Sequence, residues 1–480
     1  MFIAEKVKSN KSINPLLCRV VFATFYAMVL VSLFFIFPVY SSSVPIHDKR
    51  LVFDNFSNRV EIIQRGTNAY VKGTNISVQL SKRLIVKTIN TVTKDEVFGF
   101  HQAVSHVTEL FKGTQSNFYS LTFSDKNRLV DVLFDLQKMQ VIQPEKGILL
   151  VQPDILQLKA KDEVPFNEGE KNKDQSNIAE SKYSNKKKQP KESLLHNVNH
   201  AGSPYIDLLN ISELWLKTKG KNIKIAIIDD GIFIEHSEFK HTTMSFSYDV
   251  ENKIMSSIPI FAQDTHGTKV AGIIFSAHDN KGVDGIAPEA ELISIRQPST
   301  WTSNTLLSFQ LAKITGADII NCSWHTQFLL QPIHNIIQDL TENGRNGKGI
   351  VVVISAGNNG KEIVKNSTES AIENAIVVGA NGKDFRRLAY SNYGSSVDLF
   401  TYGQWVKTTL SSGKYGGFSG TSLAASIVSG ISALLLSHHP ELTIQQLTEQ
   451  LKLIVEPNAQ RLPLEDKVNN HSELIEKEVK

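Results

Sequence analysis

The sequence predicts an α/β fold, a doubly wound and mostly parallel sheet with helices on both faces, preceded by a small α+β domain. Continuous apolar runs such as "IKIAIID" and "GIVVVISAGN" have the length and composition of strands that are buried on both sides. Helical patterns such as "LLSFQLAKIT" and "IHNIIQDLTEN" lie between these runs. This alternation, which begins near residue 194, is typical of a parallel sheet covered by helices.

We assign residues 194–456 to the larger domain. Its predicted strands are, in order, "IKIAIID", "AELISI", "ADIINCSW", "GIVVVISAGN" and "AIVVGA". "HGTKVAGIIFSA" has a helical pattern, and the apolar run "IVSGISALLL" predicts a buried helix that begins near Ser422. Residues 457–480 are polar and charged, and we expect them to form a C-terminal tail.

The smaller domain, residues 44–158, is predicted to be of the ferredoxin-like α+β type. "RLIVKTI", "NFYSLTF" and "GILLVQPDILQL" are typical of strands, whereas "FGFHQAVSHVTELFK" and "RLVDVLFDLQKMQ" have helical periodicity. This order predicts helices on one face of an antiparallel sheet. Residues 159–193 are charged and almost free of large apolar side chains, so they are predicted to be an exposed linker.

The N-terminus, residues 1–43, is predicted to be a signal peptide or a signal-anchor. Residues 20–37 are apolar or small and follow four basic residues, which predicts a cytoplasmic N-terminus and an exported remainder. Val39 and Ser41 suit cleavage by a signal peptidase, and cleavage and retention both remain open. The protein is therefore expected to be secreted, or anchored in a membrane with its larger domain outside the cytoplasm. A third interpretation of residues 20–37 is a helix buried in the protein core.

Composition excludes one class of partner. The formal net charge is +3 and no basic face is evident, so nucleic acid is not expected to bind. Cys18 and Cys322 are the two cysteines, and Cys18 lies in the N-terminal segment, so no disulfide is expected within the folded part.

Four polar residues stand where a parallel sheet usually places its functional site. Asp229 and Asn358 end predicted strands, and His266 and Ser422 open predicted helices. Sites in open parallel sheets form outside the carboxyl ends of the strands, so these side chains are expected to converge. Taken singly, each motif has an ordinary explanation as a turn or a helix cap.

Acyl transfer is the chemistry that needs this combination. A serine hydroxyl is a weak nucleophile at neutral pH, so an imidazole must take its proton and a carboxylate must orient that imidazole. A further polar donor must meet the charge that develops on the carbonyl oxygen. A serine at the start of a helix is exposed to substrate, and the helix dipole favours negative charge there.

Seven segments of the chain resemble conserved blocks of the subtilisin family of serine proteases (subtilases, peptidase family S8). They span about residues 200–440 and are "IAIIDDGI", "DTHGTKVAGII", "GVDGIAPEAELISIR", "ADIINCSW", "VVVISAGNNG", "SNYGSSVDLF" and "FSGTSLAAS". The resemblance implies a subtilisin-like fold and a serine endopeptidase acting on polypeptides through an acyl-enzyme intermediate. It implies Asp229 as the orienting carboxylate, His266 as general base and then acid, Ser422 as nucleophile and Asn358 as oxyanion donor, with no cofactor required for catalysis.

The resemblance also implies that residues 44–158 are a pro-domain, which assists folding and inhibits the enzyme until it is cut. The chain would then be made as an inactive precursor that cleaves itself after the closing strand or within the linker. The lysine-rich "NKKKQPK" is a candidate for a second cut. An unrelated accessory domain is the alternative.

The chain departs from the family pattern at two positions. Ser323, Trp324 and His325 are expected to pair with the substrate strand, but family members usually carry glycine where this chain has His325. Ser426 replaces a usual proline, which is tolerated in the first helical turn but not required there. "DDG" and "NCSW" are similar to the kexin-like branch, which hints at cleavage after basic residues.

A structural calcium is also implied, because Glu238 and Asp279 occupy positions where many subtilases bind calcium through oxygen atoms. The segment "IEHSEFKH" brings Glu235, His236, Glu238 and His241 together in sequence, but this spacing fits no zinc pattern. A solvated loop is the preferred interpretation of that segment.

The sequence leaves two alternatives to a protease. One is a catalytically impaired subtilase homologue that only binds peptides, for which His325 is the best support. The other is a membrane-tethered scaffold without a peptide cleft, which the combined motifs argue against.

Overall fold

The computed structural model describes residues 49–66, 68–161, 203–365 and 367–456. We call residues 49–161 the N-terminal region and residues 203–456 the C-terminal region. The predicted signal segment, residues 162–193 of the predicted linker and the predicted tail lie outside the described residues.

The N-terminal region is built on a sheet with the strand order β1-β2-β3-β4-β6-β5, in which β7 also pairs with β4. The pairs from β2 onward are antiparallel. The strands are β1 (Lys49–Asn55), β2 (Asn58–Arg65), β3 (Asn68–Val71), β4 (Ser77–Ile89), β5 (Val104–Lys112), β6 (Ser116–Phe123) and β7 (Ile148–Leu156). The helices are α1 (Lys94–Phe98) and α2 (Leu129–Ile142), with short 3-10 helices at Lys126–Arg128 and Pro144–Lys146.

One predicted helix in this region is wrong. "FGFHQAVSHVTELFK" contains only the end of α1 and then strand β5, which pairs with β6. The pairing register shifts between Val104 and His106 and again between Glu109 and Phe111. Each bulge breaks the alternation of buried and exposed residues, so the apolar side chains recur at a spacing that imitates a helix.

The C-terminal region contains the predicted parallel sheet, and this prediction is confirmed. Its strands are β9 (Lys224–Asp229), β10 (Met244–Asp249), β11 (Glu291–Arg296), β12 (Ile319–Cys322), β14 (Val351–Ser355), β15 (Ile376–Asn381) and β16 (Leu399–Tyr402). They are ordered β10-β11-β9-β12-β14-β15-β16, and each neighbouring pair is parallel. Strand β8 (Ala160–Lys161) pairs with β13 (Trp324–His325), and β17 (Val406–Thr409) pairs with β18 (Tyr415–Phe418).

Helices cover both faces of this sheet. They are α3 (Pro204–Leu208), α4 (Ile211–Trp215), α5 (His266–Phe275), α6 (Thr302–Ile314), α7 (Gln331–Gly347), α8 (Thr421–His438) and α9 (Ile444–Val455), with 3-10 helices at Ser237–Phe239 and Glu369–Ala371. Ile225 and Ile227 of β9 lie in one apolar core with α5 and α8. Ala226 and Ile228 lie in the other with α6 and α7. Alternate side chains of one strand therefore supply two cores, as the unbroken apolar run predicts.

Helix α8 passes through the core beside the sheet. Among the described residues it is the one helix with the length and hydropathy to cross a membrane, but 89% of that stretch is buried within the protein. The apolar run that follows Ser422 is therefore explained by the core.

The two regions share a continuous apolar core, which joins the N-terminal sheet to α6 and α7. Polar contacts add to it at the turn between β1 and β2. There, Asn55 donates to the carbonyl of Leu329 (2.9 Å) and accepts from the backbone N–H of Gln331 (2.8 Å). The backbone N–H of Phe56 donates to the Gln331 side chain (2.8 Å). Because Gln331 begins α7, the Asn55 oxygen satisfies one of the free N–H groups at that helix start.

Candidate active site

Asp229, His266 and Ser422 meet at the carboxyl ends of the sheet strands. His266 Nδ1 lies 2.8 Å from Asp229 Oδ2, and His266 Nε2 lies 3.0 Å from Ser422 Oγ. All three residues are buried, with exposed fractions of 1%, 1% and 0% for Asp229, His266 and Ser422. The Ser422 hydroxyl also lies 3.1 Å from the carbonyl oxygen of Ser323, so its single proton can be donated to either acceptor. The structure thus brings together a hydroxyl, an imidazole and a carboxylate in the order that nucleophilic catalysis by serine requires.

Local backbone geometry explains why Ser422 stands at this point. Gly420 has φ of 100°, a conformation that side chains strongly disfavour, and its N–H donates to the carbonyl of Gly403 (2.8 Å). Helix α8 then begins at Thr421, so Ser422 lies in its first turn, where the backbone N–H groups have no partners within the helix. Negative charge near this end is stabilised by the helix dipole.

The side chain of Asn358 is fixed through its oxygen atom, which leaves its Nδ2 group available to donate a hydrogen bond. Its Oδ1 accepts from the backbone N–H of Thr421 (3.0 Å) and lies 3.1 Å from the Thr421 hydroxyl. Its Nδ2 is buried and has no hydrogen-bond partner among the described residues. A buried donor without an acceptor is costly, and a negatively charged oxygen of a bound reactant would satisfy it.

Two further acids position the His266 turn, and sequence reasoning missed both roles. Asp230 accepts from the backbone N–H groups of His266 (3.1 Å) and Gly267 (2.7 Å) and so caps the start of α5. Asp264 accepts from the buried guanidinium of Arg296 (2.8 Å), which also donates to Asp249 (2.9 Å). The second acid of "DDG" was a usable sequence signal for Asp230. Nothing local indicates the Arg296 pairs, because their members lie far apart in sequence.

Two of the three residues predicted to pair with substrate, Trp324 and His325, form an edge that is already paired. Strand β13 pairs antiparallel with β8, so that Trp324 is opposite Lys161 and His325 is opposite Ala160. The side chain of His325 therefore does not prevent strand pairing at this edge. Ser323, by contrast, is buried, and its hydroxyl bonds to Asn321 (2.9 Å).

The segment that leads into β8 makes specific contacts with the C-terminal region. Asp154 accepts from the backbone N–H (2.9 Å) and the hydroxyl (3.1 Å) of Ser303, in the first turn of α6. The Gln157 side chain donates to the carbonyl of Phe328 and accepts from its N–H, both at 3.0 Å. Lys159, which was assigned to the linker, donates to the carbonyl of Gln297 (2.8 Å), and its ammonium lies 5.0 Å from the ring centre of Trp324.

The predicted calcium ligands have protein partners. Glu238 accepts from the Tyr415 hydroxyl and from the N–H of Val283 (3.3 Å), and burial raises the pKa of its carboxyl. Its Oε2 is buried without a hydrogen-bond partner, an oxygen that would suit a cation. Asp279, however, is paired with the ammonium of Lys240. The described residues contain no group of three or more His, Cys, Asp or Glu side chains suited to a metal.

The interpretation of "IEHSEFKH" as a solvated loop is wrong for two of its four acids and histidines. Glu235 and His241 are exposed, but His236 and Glu238 are buried, with exposed fractions of 2% and 3%. His236 Nδ1 accepts from the Glu238 N–H (3.2 Å), and Nε2 lies 3.0 Å from the carbonyl of Lys414. These bonds satisfy polar groups that the core requires to be paired.

Comparisons with known proteins point to one family. The model of the subtilase family, Peptidase_S8, matches residues 220–472. A calcium-dependent protease of Trichormus variabilis is 33% identical over 286 residues, covering 51% of this chain and 43% of that protein. The major intracellular serine protease of Bacillus subtilis is 29% identical over 253 residues, covering 51% of this chain and 78% of that protein. The chain thus spans less than half the length of the Trichormus protease.

A solved structure extends the likeness beyond the C-terminal region. Fervidolysin from Fervidobacterium pennivorans, a keratinolytic enzyme related to subtilisin, superposes with a TM-score of 0.57 at 20% identity. The match covers 78% of this chain and 57% of that one. At this identity the likeness concerns the fold.

Proposed function

The chain belongs to the subtilase family, and from this premise we propose that it is a serine endopeptidase that cleaves polypeptides through an Asp229–His266–Ser422 triad. The observation that carries the proposal is the pair of hydrogen bonds at 2.8 and 3.0 Å that links these side chains. Such a chain couples removal of the serine proton to formation of an imidazolium that the carboxylate stabilises.

In the proposed first step, Ser422 Oγ attacks the carbonyl carbon of the scissile peptide bond while His266 Nε2 accepts the hydroxyl proton. The carbonyl oxygen becomes negatively charged, and Asn358 Nδ2 donates a hydrogen bond to it. The absence of any other partner for Nδ2 in the described residues supports this role. A donor that is already oriented needs no rearrangement as the charge forms.

In the proposed second step, the imidazolium of His266 gives its proton to the departing amine, which leaves an ester on Ser422. Water then attacks this ester, His266 accepts the water proton, and the return of that proton to Ser422 Oγ releases the acid product. Asp229 stays ionised throughout and keeps the imidazole in the tautomer that presents Nε2 to Ser422.

Labelling of the activated chain with a fluorophosphonate probe tests this proposal directly, because the probe reacts with an activated serine. The expected result is a single modification, mapped to Ser422 by mass spectrometry. Failure of an activated, folded chain to react would contradict the endopeptidase and favour a homologue that only binds peptides.

We further propose that the N-terminal region is a pro-domain that keeps the enzyme inactive. The pairing of β8 with β13 supports this, because a strand at that edge competes with a substrate strand. The contacts of Gln157 with Phe328 and of Asp154 with Ser303 support it further, since both fix the path of the chain that leads into β8.

Gln157→Ala is expected to shorten the delay between self-cleavage of the full chain and the onset of peptide hydrolysis by about ten-fold. The substitution removes two partly buried hydrogen bonds to the Phe328 backbone, and this weakens the attachment of the segment that leads into β8. The measurement is a time course of precursor cleavage on gels beside release of a fluorogenic peptide.

Gln140→Ala is the matched control, because the Gln140 side chain donates to the backbone of Leu149 within the N-terminal region. It is expected to leave the delay unchanged. An equal delay in wild type and Gln157→Ala would contradict the inhibitory role of this contact.

We also propose a structural calcium at Glu238 and Asp279. The unpartnered Oε2 of Glu238 supports it, as does the likeness to the Trichormus relative, which is a calcium-dependent protease, whereas Lys240 competes for Asp279. A bound calcium would stabilise the fold there and would take no part in catalysis.

Chelator is expected to lower the Tm of the wild type, and the fall should be larger in Lys240→Gln, which lacks the competing ammonium. Equal melting curves with calcium and with chelator in both proteins would remove calcium from the proposal.

Export and substrate preference remain proposals that rest on sequence. The apolar run at residues 20–37 supports export, by a cleaved signal or by a retained anchor. An antibody against residues 1–43 distinguishes the two, since an anchored protein keeps this segment in the membrane fraction.

Cleavage after basic residues is supported by the segments "DDG" and "NCSW" alone, and profiling with a peptide library tests this preference.

A further inference from the structure

A one-turn 3-10 helix, Glu369–Ala371, lies between β14 and β15. It contacts the end of strand β13 and the segment from Ser355 to Asn358, which we call the two walls of the candidate cleft; the second of them is the Asn358 loop. Glu369 and Ser370 are buried, with exposed fractions of 2% and 0%. Neither residue belongs to the motifs that contain Asp229, His266, Asn358 or Ser422, and neither has a role in the proposed reaction.

The Glu369 carboxylate holds the edge strand. Its Oε2 accepts from the backbone N–H of Thr326 (2.8 Å), and its Oε1 accepts from the Thr326 hydroxyl (2.7 Å). Thr326 follows directly on β13, the edge with which β8 pairs. The carboxylate therefore fixes the position at which this edge ends.

The next residue holds the opposite wall. The Ser370 hydroxyl donates to the carbonyl of Ser355 (2.8 Å), the last residue of β14. The chain runs from Ser355 through Gly357 to Asn358, whose amide is the proposed oxyanion donor. Two adjacent side chains thus tie the substrate edge and the Asn358 loop to one short helix, which sets the distance between them.

The walls also touch directly at His325. A Cβ built on Gly357 would lie 3.2 Å from His325 Cε1, so the imidazole already lies against the Asn358 loop. Burial raises the pKa of the Glu369 carboxyl, while the electrostatic interaction with His325 lowers it. A buried acid is costly unless its oxygens are hydrogen-bonded, and here Thr326 supplies both donors.

We propose that Glu369 is a positioning residue for extended substrates, which fixes the edge Trp324–His325 against the Asn358 loop through Thr326. This inference rests on the proposed endopeptidase function and adds a residue to it. Glu369 is hydrogen-bonded to the edge through Thr326, so substrates that pair along β13 should depend on it. Substrates too small to form a strand should not.

The test compares two substrates of the enzyme that is activated from the full-length chain carrying Glu369→Gln. The amide retains one acceptor but turns an N–H₂ group towards the Thr326 donors. We expect kcat/KM for a tetrapeptide p-nitroanilide to fall about ten-fold or more, mainly through KM. Hydrolysis of p-nitrophenyl acetate and the fluorophosphonate labelling rate should stay within about two-fold of wild type.

Three further variants separate positioning from stability. Thr326→Val loses the hydroxyl and should show part of the same selective loss, whereas Thr326→Ser keeps both donors and should restore the wild-type ratio of the two activities. Asp398→Asn is the matched control, because Asp398 also binds a backbone N–H, that of Val377 (2.8 Å), near the amino end of β15. It should leave the ratio unchanged.

Several outcomes would overturn the inference. Equal losses on the peptide and the small ester in Glu369→Gln would mean that Glu369 only stabilises the fold, and no loss on either would mean that it positions nothing. If Glu369→Gln does not fold, Thr326→Val decides the question by the same ratio. Failure of the wild type to react with fluorophosphonate would instead defeat the endopeptidase itself, a result that does not depend on Glu369.

Discussion

Replacing Ser422 by alanine is expected to abolish peptide hydrolysis, with a loss in kcat of about a million-fold, the magnitude known for subtilisin itself. The variant removes the proposed nucleophile, the oxygen atom 3.0 Å from His266 Nε2. The full-length chain should then accumulate uncut, because self-cleavage needs the same oxygen. Gel analysis of the expressed chain and a fluorogenic peptide assay measure both effects.

Ser432→Ala is the matched control for this prediction. Ser432 lies on the same helix and is equally buried, but its hydroxyl has no hydrogen-bond partner in the described part of the chain. Its loss should leave hydrolysis and self-cleavage intact. Cleavage of Ser422→Ala at the wild-type rate, in a preparation free of other proteases, would show that Ser422 is not the nucleophile.

Replacing Asn358 by alanine is expected to lower kcat by roughly 100- to 1000-fold, with little change in KM. The magnitude is again that known for the corresponding donor in subtilisin. In the proposed mechanism the Asn358 amide donates to an oxygen that is charged only in the transition state, so its loss is expected to affect the chemical step more than substrate binding. Steady-state kinetics with a peptide substrate separate kcat from KM.

Asn359→Ala provides the control, because this neighbouring asparagine is exposed and follows the same strand. It should retain wild-type kinetics. A rise in KM without a fall in kcat in Asn358→Ala would assign Asn358 to binding of the ground state instead of stabilisation of the charged oxygen.

The parallel sheet and the polar residues at its edge could be predicted because their signals are local. Unbroken apolar runs such as that of β9 mark strands buried on both sides, and Asp229 ends one of them. His266 and Ser422 open helices whose apolar faces are evident in sequence. A parallel sheet brings such positions to one edge without any further information.

The remaining features depend on contacts that sequence does not reveal. Glu369 reaches Thr326 across a separation of 43 residues, and no local pattern marks the pair. The bulges of β5 disguised a strand as a helix. Strands β1 to β3 were not predicted within residues 44–158, although Asn55, at the end of β1, makes one of the polar contacts with α7.

The contacts of Asn55, Asp154 and Gln157 have a consequence for how activity would appear over time. They attach the N-terminal region to the C-terminal region at two places, the segment 328–331 and Ser303, and none of them uses the backbone between residues 162 and 202. Hydrolysis within that stretch would turn one molecule into two chains that these contacts hold together. Release of the edge that pairs with β8 would then be a dissociation equilibrium, so dilution would increase the released fraction and a high enzyme concentration would lower it.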